Sequence, residues 1–480
     1  MLLLRLLKLI YLFIRYNCFF LLALMPIKII YPIKWLYNPN SINQAIALKK
    51  FLNSTPLLIK LGQLLATRID LFSDVFILQL KTLNDNTKNE DINFLKKIFL
   101  QEFKKDVDQI FQNISATSVA SASVAKVYKA RLNNQDVAIK VLNPKIKKYM
   151  QLDIALLKIL FSFLEIFSSK AKISKPTKII NYLENQIKFE LDLRFEGASA
   201  EQLHENFKDD KDIYIPKIFW DYTAKNILVE EWIDGIKIDD TDSLIKHRLN
   251  LQDITKKLAK IFFHQTLRDG FFHGDIHSGN TLVLKTGQIC FIDFGIMGHL
   301  NNQLKFYVKE VFVAFLNKDY TKASAIHFEA GWVKEPHKIE EFSLACRSIV
   351  EKIFHLPQNQ IQIGKLLEQL FLISTMFDME IQQDLLLLQK NLVYLENTGR
   401  ILCPNENMWA MSKDIITQNI KNDILMPNYY KYKASNILNG FKKELIKGIN
   451  YYNKPKHYHI LIHIFNYCLI FLLLYIVYNK

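Results

Sequence analysis

Three short stretches constrain this chain more than anything else in it, and their order and intervals matter more than any one alone. They are Val137-Ala138-Ile139-Lys140, then His273-Gly274-Asp275-Ile276-His277-Ser278-Gly279-Asn280, then Asp293-Phe294-Gly295. Asp275 and Asn280 are five apart on what reads as one loop, and Asp293 follows Asn280 by thirteen. Alone, Asp-Phe-Gly is a turn after a strand, and Val-Ala-Ile-Lys a buried strand ending in a solvated lysine. Together they supply a strand lysine for phosphates, a loop acid facing the reacting hydroxyl or water, and an amide and a second acid for the bridging metal. The expected ligands are ATP and Mg²⁺, with Lys140 on the phosphates, Asp275 as the catalytic acid, and Asn280 and Asp293 on the metal.

The surrounding pattern predicts an α+β, bilobal, protein-kinase-like fold with a helical N-terminal extension and a C-terminal transmembrane helix. Residues 1–30 read as an apolar anchor, and 31–115 as a helical extension with apolar periodicity through LLIKLGQLLATRIDLF and INFLKKIFLQEF. A small lobe over 116–234 opens with strand chemistry, SVASASVAKVYKARL and DVAIKVL around an Asn133-Asn134 turn. One helix is expected across about 174–207, carrying Glu190, Asp192 and Glu196. The strand NILVEEW closes the lobe, with Glu231 among the nucleotide-binding candidates. A mostly helical large lobe spans 235–400, a Lys-rich tether 401–456, and the transmembrane segment 457–480.

The formal net charge is +15, yet only nine of the 62 basic residues are Arg. Arginine does most bidentate reading of bases and phosphates, so this balance argues against sequence-specific nucleic-acid recognition. A membrane surface suits diffuse lysine charge better. The five cysteines, Cys18, Cys290, Cys346, Cys403 and Cys468, include no Cys-x-x-Cys pair. That spacing gives neither a disulfide framework nor a zinc cage and points to a reducing compartment.

From Ile460 to Tyr478 the chain has nineteen residues without Asp, Glu, Lys or Arg, close to one bilayer span. A buried C-terminal helix is the competing reading, since His463 and Asn466 are costly at a bilayer centre. Seven lysines between Lys431 and Lys456 precede the span, against Glu444 alone. The positive-inside rule therefore places the upstream protein in the cytoplasm. At the other end, MLLLRLLKLIYLFIRYNCFFLLALMPI is interrupted by Arg5, Lys8 and Arg15. It reads either as an interfacial helix with snorkelling basic residues or as a signal peptide. The anchor is favoured, because export would carry an ATP site away from ATP.

The turn ahead of Lys140 is Ala120-Ser121-Ala122-Ser123, with no glycine. Each Cβ restricts φ, so the loop is expected to be stiffer than a Gly-rich phosphate loop, with serine hydroxyls as donors. His273 and His277 are spaced i, i+4, but in this loop they read as structural rather than as zinc ligands.

Taken together, these motifs resemble the UbiB family, atypical kinase-like proteins tied to ubiquinone biosynthesis. The resemblance rests on K-x-G-Q at Lys60-Leu61-Gly62-Gln63, the alanine-rich loop at 120–123, E-x-D at Glu190-Leu191-Asp192, and the His-Gly-Asp-x-His-x-Gly-Asn loop. It continues through GWV at 331–333 and LLLLQKNLVYLENTGR at 385–400. It implies that Lys140 holds the α/β-phosphates and pairs with Glu196. It also implies that Lys60 and Gln63 reach into the active site, where a protein substrate would otherwise sit, and approach Glu190 and Asp192. Lys126, Tyr128, Ser278 and Glu230 depart from the family pattern, and Glu230 puts base preference in question.

Two function classes follow. One is an ATPase or small-molecule phosphotransferase assisting ubiquinone synthesis at the membrane, with quinone-precursor lipids and other enzymes of that synthesis as partners. The other is a non-catalytic, nucleotide-gated scaffold or lipid-binding module for those enzymes. The complete set Lys140, Glu196, Asp275, Asn280 and Asp293 favours the first. Direct hydroxylation of a quinone ring is disfavoured, because the chain has no G-x-G-x-x-G and no cysteine cluster.

Overall fold

The computed structural model of the protein describes residues 2–21, 40–66, 73–80, 90–121, 124–167, 176–333, 338–354 and 383–404, with a few single positions between them. Ala122, Ser123, most of the tether and the C-terminal apolar segment lie outside the described residues. Among the described residues, no helix is long and apolar enough to cross a membrane.

The first helix, α1 (Leu2–Arg15), shows Leu3, Leu4, Leu7, Tyr11 and Ile14 to the outside. Arg5, expected to snorkel, turns inward instead. Its Nε and Nη2 donate to the two carboxylate oxygens of Asp153 at 2.5 and 2.6 Å. The planar guanidinium matches a carboxylate in this two-pronged way, so a charge that would be costly to bury is satisfied.

Helices α2 (Ile42–Leu52), α3 (Pro56–Leu65), α4 (Asp74–Leu80) and α5 (Ile92–Phe103) form the helical extension. Local chemistry starts α3 sharply. Thr55 Oγ1 accepts the Leu58 N–H at 3.3 Å, and Pro56 takes the first helical position, where no donor is needed. Gly62 lets α3 pack closely, because a Cβ there would lie 2.3 Å from Leu83 Cδ1.

Strands β1 (Ala120–Ser121), β2 (Ala125–Leu132) and β3 (Gln135–Leu142) follow. Asn133 and Asn134, with φ of 48° and 67°, make the tight hairpin turn that the Asn-Asn pair predicts. Beyond β3 runs α6 (Pro144–Phe167), a helix absent from the sequence reading. Its apolar residues fall on several faces because it packs against α1, α3 and the next helix, α7 (Pro176–Glu190), so no single stripe marks it.

The one helix expected over about 174–207 is two, α7 and α8 (Leu193–Asn206). Asp192 is the cause. It leaves helical geometry and caps α8, its carboxylate accepting the Arg194 N–H at 3.3 Å. After α8 come the short β4 (Ile213–Tyr214) and then β5 (Ile227–Glu231).

The small-lobe sheet has the order β1-β2-β3-β5, antiparallel throughout, with Lys140 opposite Leu228. Its inner face and α5 bury Phe99, Phe111, Tyr128, Ile139 and Val229 together. Burial of such side chains contributes about 1.5–3 kcal/mol each, which fixes the strand that carries Lys140. Tyr128 is accommodated in full, its hydroxyl donating to the main-chain carbonyls of Glu90 (3.2 Å) and Asp91 (3.0 Å).

The large lobe adds β6 (Ile236–Lys237), α9 (Thr241–Lys246), α10 (Leu251–Phe263), β7 (Phe271–His273), β8 (Thr281–Val283), β9 (Ile289–Phe291) and β10 (Met297–His299). It continues with α11 (Asn302–Leu316), α12 (Tyr320–Glu329), α13 (Ile339–Phe354) and α14 (Gln383–Leu402). Its larger sheet runs β4-β9-β8-β6, and β7 pairs with β10. β4, placed by sequence in the small lobe, therefore belongs to the large-lobe sheet.

Candidate active site

The sheets bring the three motifs together. β3 delivers Lys140, the turn between β7 and β8 carries Asp275 to Asn280, and the turn between β9 and β10 carries Asp293. Lys140 Nζ lies 2.6 Å from Glu196 Oε1 in the first turn of α8 and donates to the Ile292 carbonyl at 2.8 Å. It also meets Glu230 Oε1 at 3.1 Å. Burial disfavours the ammonium, but Glu196, Glu230 and Asp293 outweigh it and push its pKa above the usual lysine range. The acids bear the cost. Burial raises Glu196, and it raises Glu230 to about 7 despite the opposing pull of Lys140.

Glu230 is thus a second carboxyl partner for Lys140, a relationship the sequence reading did not contain. It follows from register: on β5 Glu230 is opposite Ala138, two residues from Lys140 on the same sheet face. The Glu231 carboxylate points elsewhere. It accepts the Tyr214 hydroxyl at 2.8 Å and the Lys217 N–H at 3.3 Å, which ties β5 to β4.

The catalytic loop is held by its own side chains. Asn280 Nδ2 donates to the Asp275 carbonyl at 2.7 Å, and its Oδ1 accepts the His277 N–H at 3.0 Å. His273 is fully buried, with burial lowering its pKa, so the ring is neutral. Its Nδ1 accepts the Asp275 N–H at 3.1 Å and its Nε2 faces the Asp293 carbonyl at 2.5 Å. One imidazole therefore ties the catalytic loop to the Asp-Phe-Gly turn. His277 Nδ1 accepts the Gly279 N–H at 3.0 Å, so both histidines brace backbone.

Burial pushes Asp275 and Asp293 upward, and neighbouring lysines reverse the effect. Lys390, with Lys60 behind it, brings Asp275 down to about 2. Lys140, the Gly295 N–H and Lys60 lower Asp293. Both are carboxylates at neutral pH. Asp293 with the Asn280 side-chain oxygen is a hard-oxygen donor pair, and among the described residues no cluster of three or more His, Cys, Asp or Glu forms a cage. That donor set fits Mg²⁺ completed by substrate phosphates, as opposed to an all-protein site.

The extension reaches this centre. Lys60 Nζ on α3 lies 3.0 Å from Glu190 Oε1 at the end of α7, and its charge acts on both Asp275 and Asp293. Gln63 is half-buried one turn further along α3. Asp192 is not brought to Lys60 by any of its hydrogen bonds. Arg194 Nε and Nη2 take its oxygens at 2.9 and 2.7 Å, and capping α8 occupies it further. Of the phosphate-loop candidates, Ala120 and Ser121 form β1 and pair with Val127 and Lys126.

Two residues of α14 were not singled out from sequence. Lys390 Nζ pairs with Asp275 Oδ1. Asn391, fully buried, donates to the His273 carbonyl, and its Oδ1 accepts the Ile276 N–H at 3.3 Å. In LLLLQKNLVYLENTGR they read as ordinary polar positions of a helix. Only the buried Asn among leucines carried a signal.

The chain is similar to known proteins. A family model for the ABC1 atypical kinase-like domain matches residues 82–327, and one for the UbiB helical domain matches 346–407. The chain is 36% identical over 367 residues to the "probable protein kinase UbiB" of Photobacterium profundum, covering 75% of this chain and 67% of that protein. For the protein of that name from Marinobacter nauticus the figures are 37% over 366 residues, 75% and 67%. For that of Haemophilus ducreyi they are 35% over 397 residues, 80% and 73%. Among solved structures, Mycobacterium tuberculosis Rv3197 in complex with erythromycin shares the fold, with a TM-score of 0.52 and 21% identity over 74% of this chain and 90% of that one.

Proposed function

The chain belongs to the UbiB family of atypical kinase-like proteins, and from that premise we propose that it is an ATP-dependent ATPase or small-molecule phosphotransferase acting in ubiquinone biosynthesis at a membrane. The observation that carries this reading is the joint position of Lys140, Glu196, Asp275, Asn280 and Asp293. Lys140, fixed by Glu196 at 2.6 Å, is an ammonium ready for the inner phosphates. Asp275, ionised on its loop, orients the attacking hydroxyl or water. Asp293 and Asn280 would hold Mg²⁺, which when bound neutralises charge on the phosphates. A scaffold has no need of this whole set, so the enzyme reading is preferred to a nucleotide-gated scaffold for other biosynthetic enzymes.

The acceptor is expected to be small or lipidic. The Lys60 charge that reaches both Asp275 and Asp293 supports this reading, with α3 taking the room of a peptide. The apolar outer face of α1 and the lysine-rich composition suit work on quinone-precursor lipids at the cytoplasmic face of a bacterial inner membrane. Metal-dependent nucleotide turnover by the purified protein, measured with and without polyprenyl-phenol lipids, tests the proposal. Stimulation by the lipid supports it, and an absence of Mg²⁺-dependent nucleotide binding refutes it.

A further inference from the structure

Lys140 is charged, but all of its donors are engaged. An ammonium carries three N–H groups and accepts nothing. Three acceptors surround this one: Glu196 Oε1 at 2.6 Å, the Ile292 carbonyl at 2.8 Å and Glu230 Oε1 at 3.1 Å. A phosphate oxygen gains a full hydrogen bond from Lys140 only by taking the place of one of them. The three are not held alike. Ile292 is main chain, and its own N–H donates to the Asn280 carbonyl at 3.1 Å. Glu196 stands in the first turn of α8 and also accepts the Phe294 N–H. Glu230 makes the longest of the three contacts, and its second oxygen, Oε2, is buried with no hydrogen-bond partner among the described residues. The residue is 3% exposed, so bulk water does not serve that oxygen. The other titratable groups facing Glu230 add no cation. Glu196 on α8 and Asp293 after β9 are acids, and Cys290 on β9 is a thiol that burial keeps protonated. One ammonium serves three acids in a buried cluster.

We infer that Glu230 is an intramolecular competitor of the nucleotide's phosphates: it occupies the Lys140 donor that a phosphate oxygen would take, and nucleotide binding has to displace it. The inference rests on the proposed reading of Lys140 as the phosphate-holding lysine of a nucleotide site. Glu230 is the partner that yields, because Glu196 and Ile292 are each fixed by a second hydrogen bond and Glu230 is not. With Glu230 gone, those two still hold the ammonium in the cleft. The displaced carboxylate is then left with both oxygens unpaired in a buried place, which is costly for a charged group. Its negative charge also opposes that of the incoming phosphates. Both effects lower the affinity for a phosphate-bearing ligand, and neither acts on a ligand without phosphate.

The test is the affinity of the full-length protein for Mg²⁺-ADP, measured by calorimetry, and for adenosine, read by its competition with Mg²⁺-ADP. ADP brings the inner phosphates and adenosine brings none. Burial raises the Glu230 pKa to about 7, so both are measured at pH 8, where the carboxylate predominates. Glu230→Gln keeps the shape and removes the charge. It should tighten Mg²⁺-ADP by about 10- to 100-fold, the range for a hydrogen bond to a charged group, while adenosine affinity stays within about twofold. Glu230→Met removes the acceptor as well and should tighten Mg²⁺-ADP at least as much. Should Glu230→Gln fold poorly, Glu230→Met takes its place under the same criteria. Adenosine tightening in step with ADP would mean that the substitution repacks the pocket. Unchanged or weaker ADP binding would mean that Glu230 supports Lys140 instead of competing for it. Either result overturns the inference. A failure of the wild type and both variants to bind Mg²⁺-ADP refutes the proposed function itself, a different outcome from a wild type and variants that bind it alike, which refutes only the role of Glu230.

Discussion

Lys60 and Glu190 meet at 3.0 Å, with side chains 12% and 7% exposed, and their contact joins the helical extension to the helix that precedes the small lobe's key glutamate. Removing one member of a buried pair takes away its compensation of the other charge, at a cost of up to about 3–5 kcal/mol, whereas replacing both is often neutral. Lys60→Met should therefore destabilise the protein by a few kcal/mol, and Lys60→Met with Glu190→Leu should recover most of it. Chemical denaturation of the two variants checks this. Equal losses in the single and double variants would mean that the pair does not carry the contact.

Asp293 is the principal carboxylate of the metal pair, and it is ionised because Lys140 and the Gly295 N–H overcome its burial. Asp293→Asn keeps the shape and removes the charge. Several kcal/mol of transition-state stabilisation go with it, so turnover should fall by at least about 100-fold at 1.4 kcal/mol per tenfold. Nucleotide affinity should also lose its dependence on Mg²⁺. Titration of nucleotide with and without the metal decides, and wild-type turnover in this variant would remove Asp293 from the site.

Glu230 makes stability depend on pH in a stated direction. Its pKa in the folded protein is raised from 4.5 to about 7, with burial as the main cause. A raised carboxyl favours the fold while protonated. That contribution is complete below its unfolded value and is lost as pH climbs through about 7. The stability of the wild type relative to Glu230→Gln should decline between about pH 5 and 7 and then level off. Denaturation at pH 5, 6, 7 and 8 gives the curve. A flat difference would mean that Glu230 is already ionised beside Lys140.

The catalytic motifs were legible in the sequence because each is local: a strand ending in Lys140, a loop spanning five residues, a turn at Asp293. The kinase-like lobes followed from them, and the Lys140–Glu196 pair from the family resemblance. What was not legible depends on contacts between distant segments. Arg5 looks like a snorkelling residue until Asp153 on α6 is in place, and α6 itself hides its period by packing on three sides. Asp192 reads as a partner for Lys60, yet as the cap of α8 it answers first to Arg194, two residues away. Lys390 lies 115 residues from Asp275, and no spacing rule connects them.

The exposed face of α1 leads to a prediction about place. Arg5 fixes the helix to α6 through Asp153 and so sets which side faces outward, and that side carries Leu3, Leu4 and Leu7, at 68%, 71% and 53% exposure. Burying a leucine in an apolar phase is worth about 1.5–3 kcal/mol, and α1 carries basic residues that add attraction to anionic headgroups, about 1 kcal/mol each near the surface. Replacing Leu3, Leu4 and Leu7 with Ser should weaken binding to phosphatidylglycerol-containing vesicles by at least about tenfold, given 1.4 kcal/mol per tenfold, while leaving Mg²⁺-nucleotide affinity unchanged. The remaining attachment separates two cases. If it washes off in high salt, it is electrostatic, because raising ionic strength shortens the reach of surface charge to a few ångströms. If it persists in salt and alkali, the apolar segment at 460–478 holds the protein as a spanning helix. Vesicle binding of the triple-serine variant equal to that of the wild type would show that α1 does not meet the bilayer.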